Sequence, residues 1–426
     1  MLNRTIAPPI KDAVEFELIL PPYQKRTLKN GIEVYLIDLG NVDAMMVNWI
    51  FDAGNSYEKK HGVAAAVSSL LKNGTSKRTA FQINEHFEYY GAYLNRSAQH
   101  ETAEITLHCL NKYVAQLLPV VSELVTDSIF PSEELDIYKK NSQQRLQVSL
   151  KKSDFVAGRL IESYMYGLEH PYGKYSSMED YQQLQREDLL DFYKSFYQNG
   201  VCRIIAAGKL PDNLITLLDE WFGSLPLRVP SGQQPTFPIK PATERKYNIV
   251  NDPNGVQGSI RIARNFPNRH HPDFQRVQVL NNVFGGYFGS RLMANIREEK
   301  GYTYGIYSYL LNNIQESGLL ISTEAGKEVC AAAIQEVYNE MESLRDEPID
   351  EEELQMARNF AIGTVLGDLD GPFHVAGRWK NIILNGLDSN YFEKGIEIVK
   401  TITPEELQQL AKTYLNPEDF YELIVI

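Results

Sequence analysis

Alternating apolar and polar positions mark the strands of this chain, and they recur in two series. Gly31-Ile-Glu-Val-Tyr-Leu-Ile and Met45-Met-Val-Asn-Trp-Ile-Phe carry the pattern early, and Gly258-Ser-Ile-Arg-Ile-Ala carries it again past the middle. Apolar positions at helical spacing follow each set. Glu187-Asp-Leu-Leu-Asp-Phe-Tyr-Lys-Ser-Phe-Tyr-Gln matches Glu405-Glu-Leu-Gln-Gln-Leu-Ala-Lys-Thr-Tyr-Leu-Asn as an acidic-led amphipathic helix. Each runs into a short apolar strand, Cys202-Arg-Ile-Ile-Ala-Ala in one case and Tyr421-Glu-Leu-Ile-Val-Ile in the other. Upstream, Pro131-Ser-Glu-Glu-Leu-Asp and Pro348-Ile-Asp-Glu-Glu-Glu-Leu open long helices, since proline and carboxylates suit the N-terminal end of the helix dipole. A helix over 274–284 holds the place in the second series that one over 62–72 holds in the first.

The offset between the series is about 210 to 220 residues, the length of a duplicated domain and not of a solenoid repeat. Residues 226–241 hold five prolines with Ser231 and Gly232, which reads as an exposed linker. The chain is therefore expected to fold as a domain over 1–228, a linker over 229–241 and a domain over 242–426. Strands grouped with helices, without strict alternation, predict an α+β fold. Two duplicated α/β-layer domains are expected, each with helices packed on one face of a largely antiparallel sheet.

Composition narrows the function. At 426 residues the chain exceeds one ordinary core, and 43% apolar with 23% charged residues is a soluble globular balance. The net charge of −13 is unbroken by any Lys/Arg cluster, which argues against nucleic acid. Cys109, Cys202 and Cys330 are odd in number and far apart, so neither a zinc ribbon nor a disulfide framework fits, and a reducing compartment does. The N-terminus has no apolar signal core, and no run approaches a membrane span. A cytoplasmic, non-membrane protein is expected, or a periplasmic one if a leader has been removed.

The stretch from Gly54 to Thr75 has a Gly-x-x-x-Glu entry (Gly54 to Glu58), a small-residue helix from Gly62 and an Asn-Gly-Thr exit (Asn73 to Thr75). This is the frame of an inverzincin active-site helix, whose centre reads H-x-x-E-H. Two histidines four apart on a helix share a face and can bind one zinc, while the intervening Glu points at the bound water. Here the five positions read Ala65-Ala66-Val67-Ser68-Ser69, which can do neither job. Taken alone, the segment is a well-packed amphipathic helix.

A second dense segment runs from Gly285 to Ser308: a Gly-rich loop, a short helix stopped by Gly301 in a left-handed cap, and a tyrosine-rich strand. Simple alternation puts Tyr302, Tyr304 and Ile306 on one face of that strand, and Thr303, Gly305 and Tyr307 on the other. The loop follows a helix and lacks phosphate-binding spacings. Arg297 falls in the helix's last turn, where the dipole alone favours a cation, and Tyr304 has a plain reading as sheet packing.

Together the segments resemble the pitrilysin / mitochondrial processing peptidase family of inverzincin zinc metallopeptidases, from about Tyr23 to the C-terminus. The resemblance rests on the Gly54–Thr75 frame, the domain repeat and Gly-Ser-Arg-Leu-x-x-x-Ile-Arg-Glu-x-x-Gly-x-x-Tyr (Gly289 to Tyr304). It implies an Arg and a Tyr seven residues apart that face the zinc across a closed chamber and bind the substrate backbone or the developing oxyanion. Arg297 and Tyr304 have that spacing, and both are donors suited to a carbonyl oxygen gaining charge. The family's third zinc ligand is a Glu roughly 75 to 80 residues beyond the helix. No Glu occurs between Glu134 and Glu162, where Asn141-Ser-Gln-Gln-Arg-Leu-Gln stands instead.

Other clusters do not replace the metal site. His100, Glu104 and His108 share one face of an expected strand over 99–109, about 13 Å apart at each step, too far for one ion and expected to be solvated. His270-His271 falls in a loop, and Glu133-Glu134 and Glu351-Glu352-Glu353 look like helix starts. The resemblance therefore implies the degenerate, non-zinc-binding subunit of a heterodimeric peptidase. Zinc is expected on an H-x-x-E-H partner chain and none on this one, with Arg297 and Tyr304 binding the peptide substrate. The alternative is a catalytically inert scaffold or a peptide-binding homodimer of the same fold.

Overall fold

The computed structural model describes residues 11–230, 232 and 234–426. The chain forms two compact units. The N-terminal unit joins Pro21–Ala242 to the later segment Gly371–Asn381. The C-terminal unit comprises Thr243–Asp370 and Ile382–Ile426 with the chain up to Leu20. This division departs from the contiguous ranges expected above. Trp379 Nε1 donates to the Pro21 carbonyl at 2.8 Å within the first unit, and Lys400 Nζ donates to the Phe16 carbonyl at 2.6 Å within the second. Such exchanges join segments hundreds of residues apart, beyond the reach of local pattern.

In the N-terminal unit the strands are β1 (Gln24–Thr27), β2 (Glu33–Asp38), β3 (Ala44–Phe51), β4 (Tyr93–Ala98), β5 (Ala103–Leu110) and β6 (Cys202–Gly208). They lie in the order β1-β2-β6-β3-β5-β4. The C-terminal unit has β7 (Lys246–Ile249), β8 (Gln257–Phe266), β9 (Thr303–Asn312), β10 (Ser317–Gly326) and β11 (Tyr421–Val425), in the order β7-β11-β8-β10-β9. Apart from β1 the two orders coincide strand for strand, so the repeat seen in the sequence is a repeat of topology. In each sheet one pair is parallel (β2 with β6, β7 with β11) and the rest are antiparallel.

The last strand of each half is inserted centrally. All seven residues of β6 are buried, which explains why it does not alternate: a central strand covered on both faces is apolar along its length, and its one charge, Arg203, is paired with Asp52 at 2.6 Å. Each unit has its own core. Trp49, Phe51, Leu117, Leu124 and Phe222 anchor the first, and Ile262, Phe284, Met293, Ile321 and Met341 the second. Among the described residues no helix is long and apolar enough to cross a membrane.

Strands β4 and β9 occupy equivalent ends of the two sheets. At β9 the Asn281 carboxamide donates to the Ser308 carbonyl at 3.0 Å, and the Ile306 N–H meets Met293 Sδ at 3.4 Å. Side chains thus blunt that edge. Among the described residues no strand pairs with the outer side of β4.

Candidate functional site

The helix Val63–Leu70 starts from Gly62, and its frame is tied into the fold at every retained position. A Cβ on Gly54 would sit 2.2 Å from the His100 carbonyl oxygen, so only glycine lets the two backbones meet. They are joined there by Asn55 N–H to Gln99 O (3.1 Å) and Ser56 N–H to His100 O (2.8 Å). Glu58 Oε1 accepts from the Gly62 N–H at 3.0 Å and pairs with His61 Nδ1 at 2.8 Å, and Oε2 accepts from the Ala64 N–H at 3.0 Å. This carboxylate satisfies donors that the first helical turn leaves free and complements the dipole. Asn73 Nδ2 donates to Glu134 Oε2 at 2.7 Å, near the start of the helix Ser132–Ser149. Thr75 Oγ1 accepts from the Arg78 N–H at 2.9 Å and donates to buried Glu123.

The centre of the helix has no such commitments to a metal. Ala65 and Ser69, one turn apart, are exposed, and buried Ser68 meets the phenol of Tyr197. A methyl and two hydroxyls do not form a zinc donor set. On the helix Ser132–Ser149 the expected third-ligand region carries no carboxylate, and its inward positions are Ser142 and Leu146. Among the described residues no three His, Cys, Asp or Glu side chains are grouped to hold a metal. The residues present do not fit the ion.

Beside Ala65 lies a cavity of about 250 Å³, lined also by Asn55, Glu58, His61, His100 and Ser176. His100 does not lie on β5 as expected but in the loop before it. Its Nδ1 is 3.3 Å from Asn55 Oδ1 and its ring packs on Tyr172. Burial, helped by nearby His170, lowers its pKa from the ordinary 6.5 to about 4. The unfolded chain takes up this proton near 6.5 and the folded chain only near 4, so stability is lost as pH falls through that window. Replacing His100→Asn should flatten the stability profile between pH 6.5 and 4, read by urea unfolding at stepped pH. An unchanged slope would show that the ring titrates as it does in water. Glu162 acts in the opposite sense: burial raises it from 4.5 to about 7, so its contribution is lost as pH rises through that range.

Glu104 and His108 are not solvated strand residues. The segment Gly371–Asn381 covers them: Lys380 Nζ lies 2.9 Å from both Glu104 oxygens, and the Phe373 ring meets His108 edge-on. Asn48 Nδ2 adds a 2.7 Å bond to Glu104. A distant segment of the chain supplied the cover, which strand periodicity does not reveal.

In the C-terminal unit the helix carrying Arg297 is wide-turned over Met293–Glu299 and ends as expected at Gly301. Gly301 has φ +66°, and the Tyr302 N–H reaches back to the Ile296 carbonyl at 3.0 Å. Arg291 and Arg297 have different fates on this segment. Arg291 forms a two-pronged pair with Glu353 (2.7 and 2.9 Å) and bonds Ser343 Oγ, fastening the helix to its neighbours. Arg297 has neither an ion pair nor a hydrogen bond among the described residues. Its guanidinium lies over the Phe288 ring, 4.5 Å from the centroid, which orients the planar fork without consuming its donors.

Tyr304 departs from simple alternation. Thr323 pairs with Ile306 and Ala325 with Thr303, so the single residue Glu324 stands opposite both Tyr304 and Gly305. This is a β-bulge in β9, and the extra residue reverses the side-chain parity. Ile306 is buried, whereas Tyr304 is 94% exposed, like the outward Tyr307 and Tyr309. Thr303 Oγ1 accepts from the Gly305 N–H at 3.1 Å and donates to the Glu324 carbonyl at 2.7 Å. Thr323 Oγ1 donates to the Gly305 carbonyl at 2.9 Å. Two hydroxyls thus hold the backbone that turns Tyr304 outward. Sequence reasoning missed the parts played by Phe288, Thr303 and Thr323; the two threonine hydroxyls meet, at 2.8 Å, only through the register of β9 and β10.

The profile of the insulinase family, peptidase family M16, matches residues 36–172, and that of the peptidase M16 inactive domain matches residues 183–360. An uncharacterised zinc protease of Bacillus subtilis is 22% identical over 405 residues, spanning 93% of this chain and 96% of its own. The probable mitochondrial-processing peptidase subunit beta of Schizosaccharomyces pombe is 25% identical over 63% of this chain and 60% of its own. Among solved structures, a protease from Helicobacter pylori superposes with a TM-score of 0.85 at 17% identity, covering 96% of this chain and 100% of that one. The peptidase M16 inactive domain from Pseudomonas fluorescens gives 0.81 at 20%, covering 95% and 98%. With two domain profiles of one family matching successive stretches of the chain in order, on that family's duplicated fold, the chain belongs to the M16 peptidases.

Proposed function

We propose that this chain is the non-catalytic subunit of a heterodimeric zinc metallopeptidase, and that Arg297 and Tyr304 act on peptides cleaved at the zinc of an H-x-x-E-H partner. One contrast carries the reading. Gly54, Glu58, Asn73 and Thr75 are all spent on packing and hydrogen bonds within the fold. Arg297 is oriented but unpaired, and the Tyr304 phenol stands in solvent. A scaffold has no use for two uncommitted donors held in place by an aromatic ring and a bulge. Their chemistry suits a peptide carbonyl oxygen, to which guanidinium and phenol both donate as charge develops. An extended peptide could add as a strand beside β4, whose outer side pairs with no strand among the described residues.

The test is reconstitution. Mixed with an H-x-x-E-H homologue from the same source, the chain should yield chelator-sensitive cleavage of a quenched-fluorescence peptide that neither chain gives alone. Elemental analysis should find the zinc with the partner and well under one equivalent on this chain. If no such homologue restores cleavage, and pull-down from the native cell recovers no metallopeptidase, the inert scaffold or peptide-binding homodimer takes its place. Stoichiometric zinc and cleavage by this chain alone would overturn both.

A further inference from the structure

The helix-bearing face of β4 holds a cation without a partner. Strand alternation puts Leu94, Arg96 and Ala98 on one face. Leu94 is buried in the core with Val63, Ala66 and Val67 of the helix Val63–Leu70, and Ala98 lines the cavity beside Ala65. Arg96 therefore sits between them, on the side of the sheet covered by the degenerate metal helix. Its Nε and Nη1 are buried, and no acceptor among the described residues meets them. Lys72, just past the end of that helix, is near enough to Arg96 for the two charges to repel. The carboxylate acting on Lys72 is Glu88, on the helix Ala80–Tyr89, and it makes no ion pair with it. Two half-buried cations thus lie near each other, and neither has an ion pair among the described residues.

Buried donors without acceptors are costly, and a buried cation more so, unless something arrives to pair with them. We propose that Arg96 and Lys72 form a carboxylate-binding subsite for an Asp or Glu side chain of a peptide lying along β4. This rests on the peptide-binding reading above. A strand added to β4 turns every second side chain toward the helix-bearing face, which is the face of Arg96. The planar guanidinium offers paired N–H donors matched to two carboxylate oxygens, and Lys72 adds a point charge. The small side chains of Ala65 and Ala98 line the adjoining cavity, and Ser69 is exposed. A zinc site gathers imidazole and carboxylate around a cation; this site presents cations to a carboxylate, and the local charge requirement is inverted.

The probe is a set of fluorescein-labelled nonapeptides in which one Glu walks along an otherwise uncharged sequence, each paired with its Gln counterpart. Affinity for the full-length chain is read by fluorescence anisotropy at low salt. In at least one register the Glu peptide should bind about tenfold tighter than its Gln counterpart, the scale of a charge-assisted hydrogen bond. Arg96→Met, which keeps the side chain's length, should erase that preference, and Arg96→Lys should keep part of it. Lys72→Gln gives a second arm that does not depend on the packing at residue 96, and should reduce the preference severalfold. Equal binding of Glu and Gln peptides in every register overturns the subsite while leaving peptide binding intact. Failure of every peptide to bind overturns both, and a preference that survives Arg96→Met overturns the assignment to Arg96.

Discussion

Arg297→Ala should lower kcat/KM of the reconstituted peptidase by about 100-fold or more, because loss of one donor to a developing oxyanion typically costs that much. The drop should fall on kcat and kcat/KM alike, since the interaction strengthens as the carbonyl oxygen gains charge. Arg297→Lys should not rescue it, because a lysine cannot keep the flat fork over Phe288 that fixes the donors. Tyr304→Phe removes only the hydroxyl of an exposed ring and should cost about tenfold with no change in folding. The two substitutions should combine less than additively if both donors serve one oxygen. Arg291→Ala is the control. That residue is spent on Glu353 and Ser343, so its loss should lower the melting temperature and leave the rate per folded molecule near its starting value. An unchanged rate in Arg297→Ala would end the trans-acting reading.

The expected strands in both halves, and the duplication relating them, were legible because local alternation and helix-start chemistry are local properties. β3 and β8 alternate or run apolar where they are covered, and Gly301 stops its helix as a left-handed cap must. The direction of Tyr304 was not legible. It depends on one unpaired residue opposite Glu324, a property of two strands in register and not of either alone. The surroundings of Glu104 and His108 were hidden for a related reason, since the residues covering them come from beyond position 370. The exchange of segments between the two units was hidden on the same account. The segment Gly371–Asn381 leaves the second series before its last helices and strand, and nothing in a linker's composition signals that.

Glu58→Ala tests whether the retained frame serves the fold. The Glu58 side chain is 3% exposed and takes two backbone N–H groups of the first helical turn together with the His61 ring. Truncation leaves these donors buried with no acceptor, at about 1–3 kcal/mol for each unmet group. The expected loss is about 4 kcal/mol, or roughly 10 °C in the melting of the N-terminal unit. Glu58→Gln should recover part of it, because one carboxamide oxygen still accepts. His61→Ala should cost less, since it leaves the carboxylate on both backbone donors. Ala65→Ser, on the same helix but at an exposed position with no partner, should be nearly neutral. This ordering separates the two parts of the motif physically. The frame persists because the helix cannot start without its carboxylate or approach the loop at His100 without its glycine. Of the metal positions, Ala65 and Ser69 are exposed and carry no such debt to the fold, whereas buried Ser68 is held by the Tyr197 phenol. Equal tolerance at positions 58 and 65 would remove that explanation.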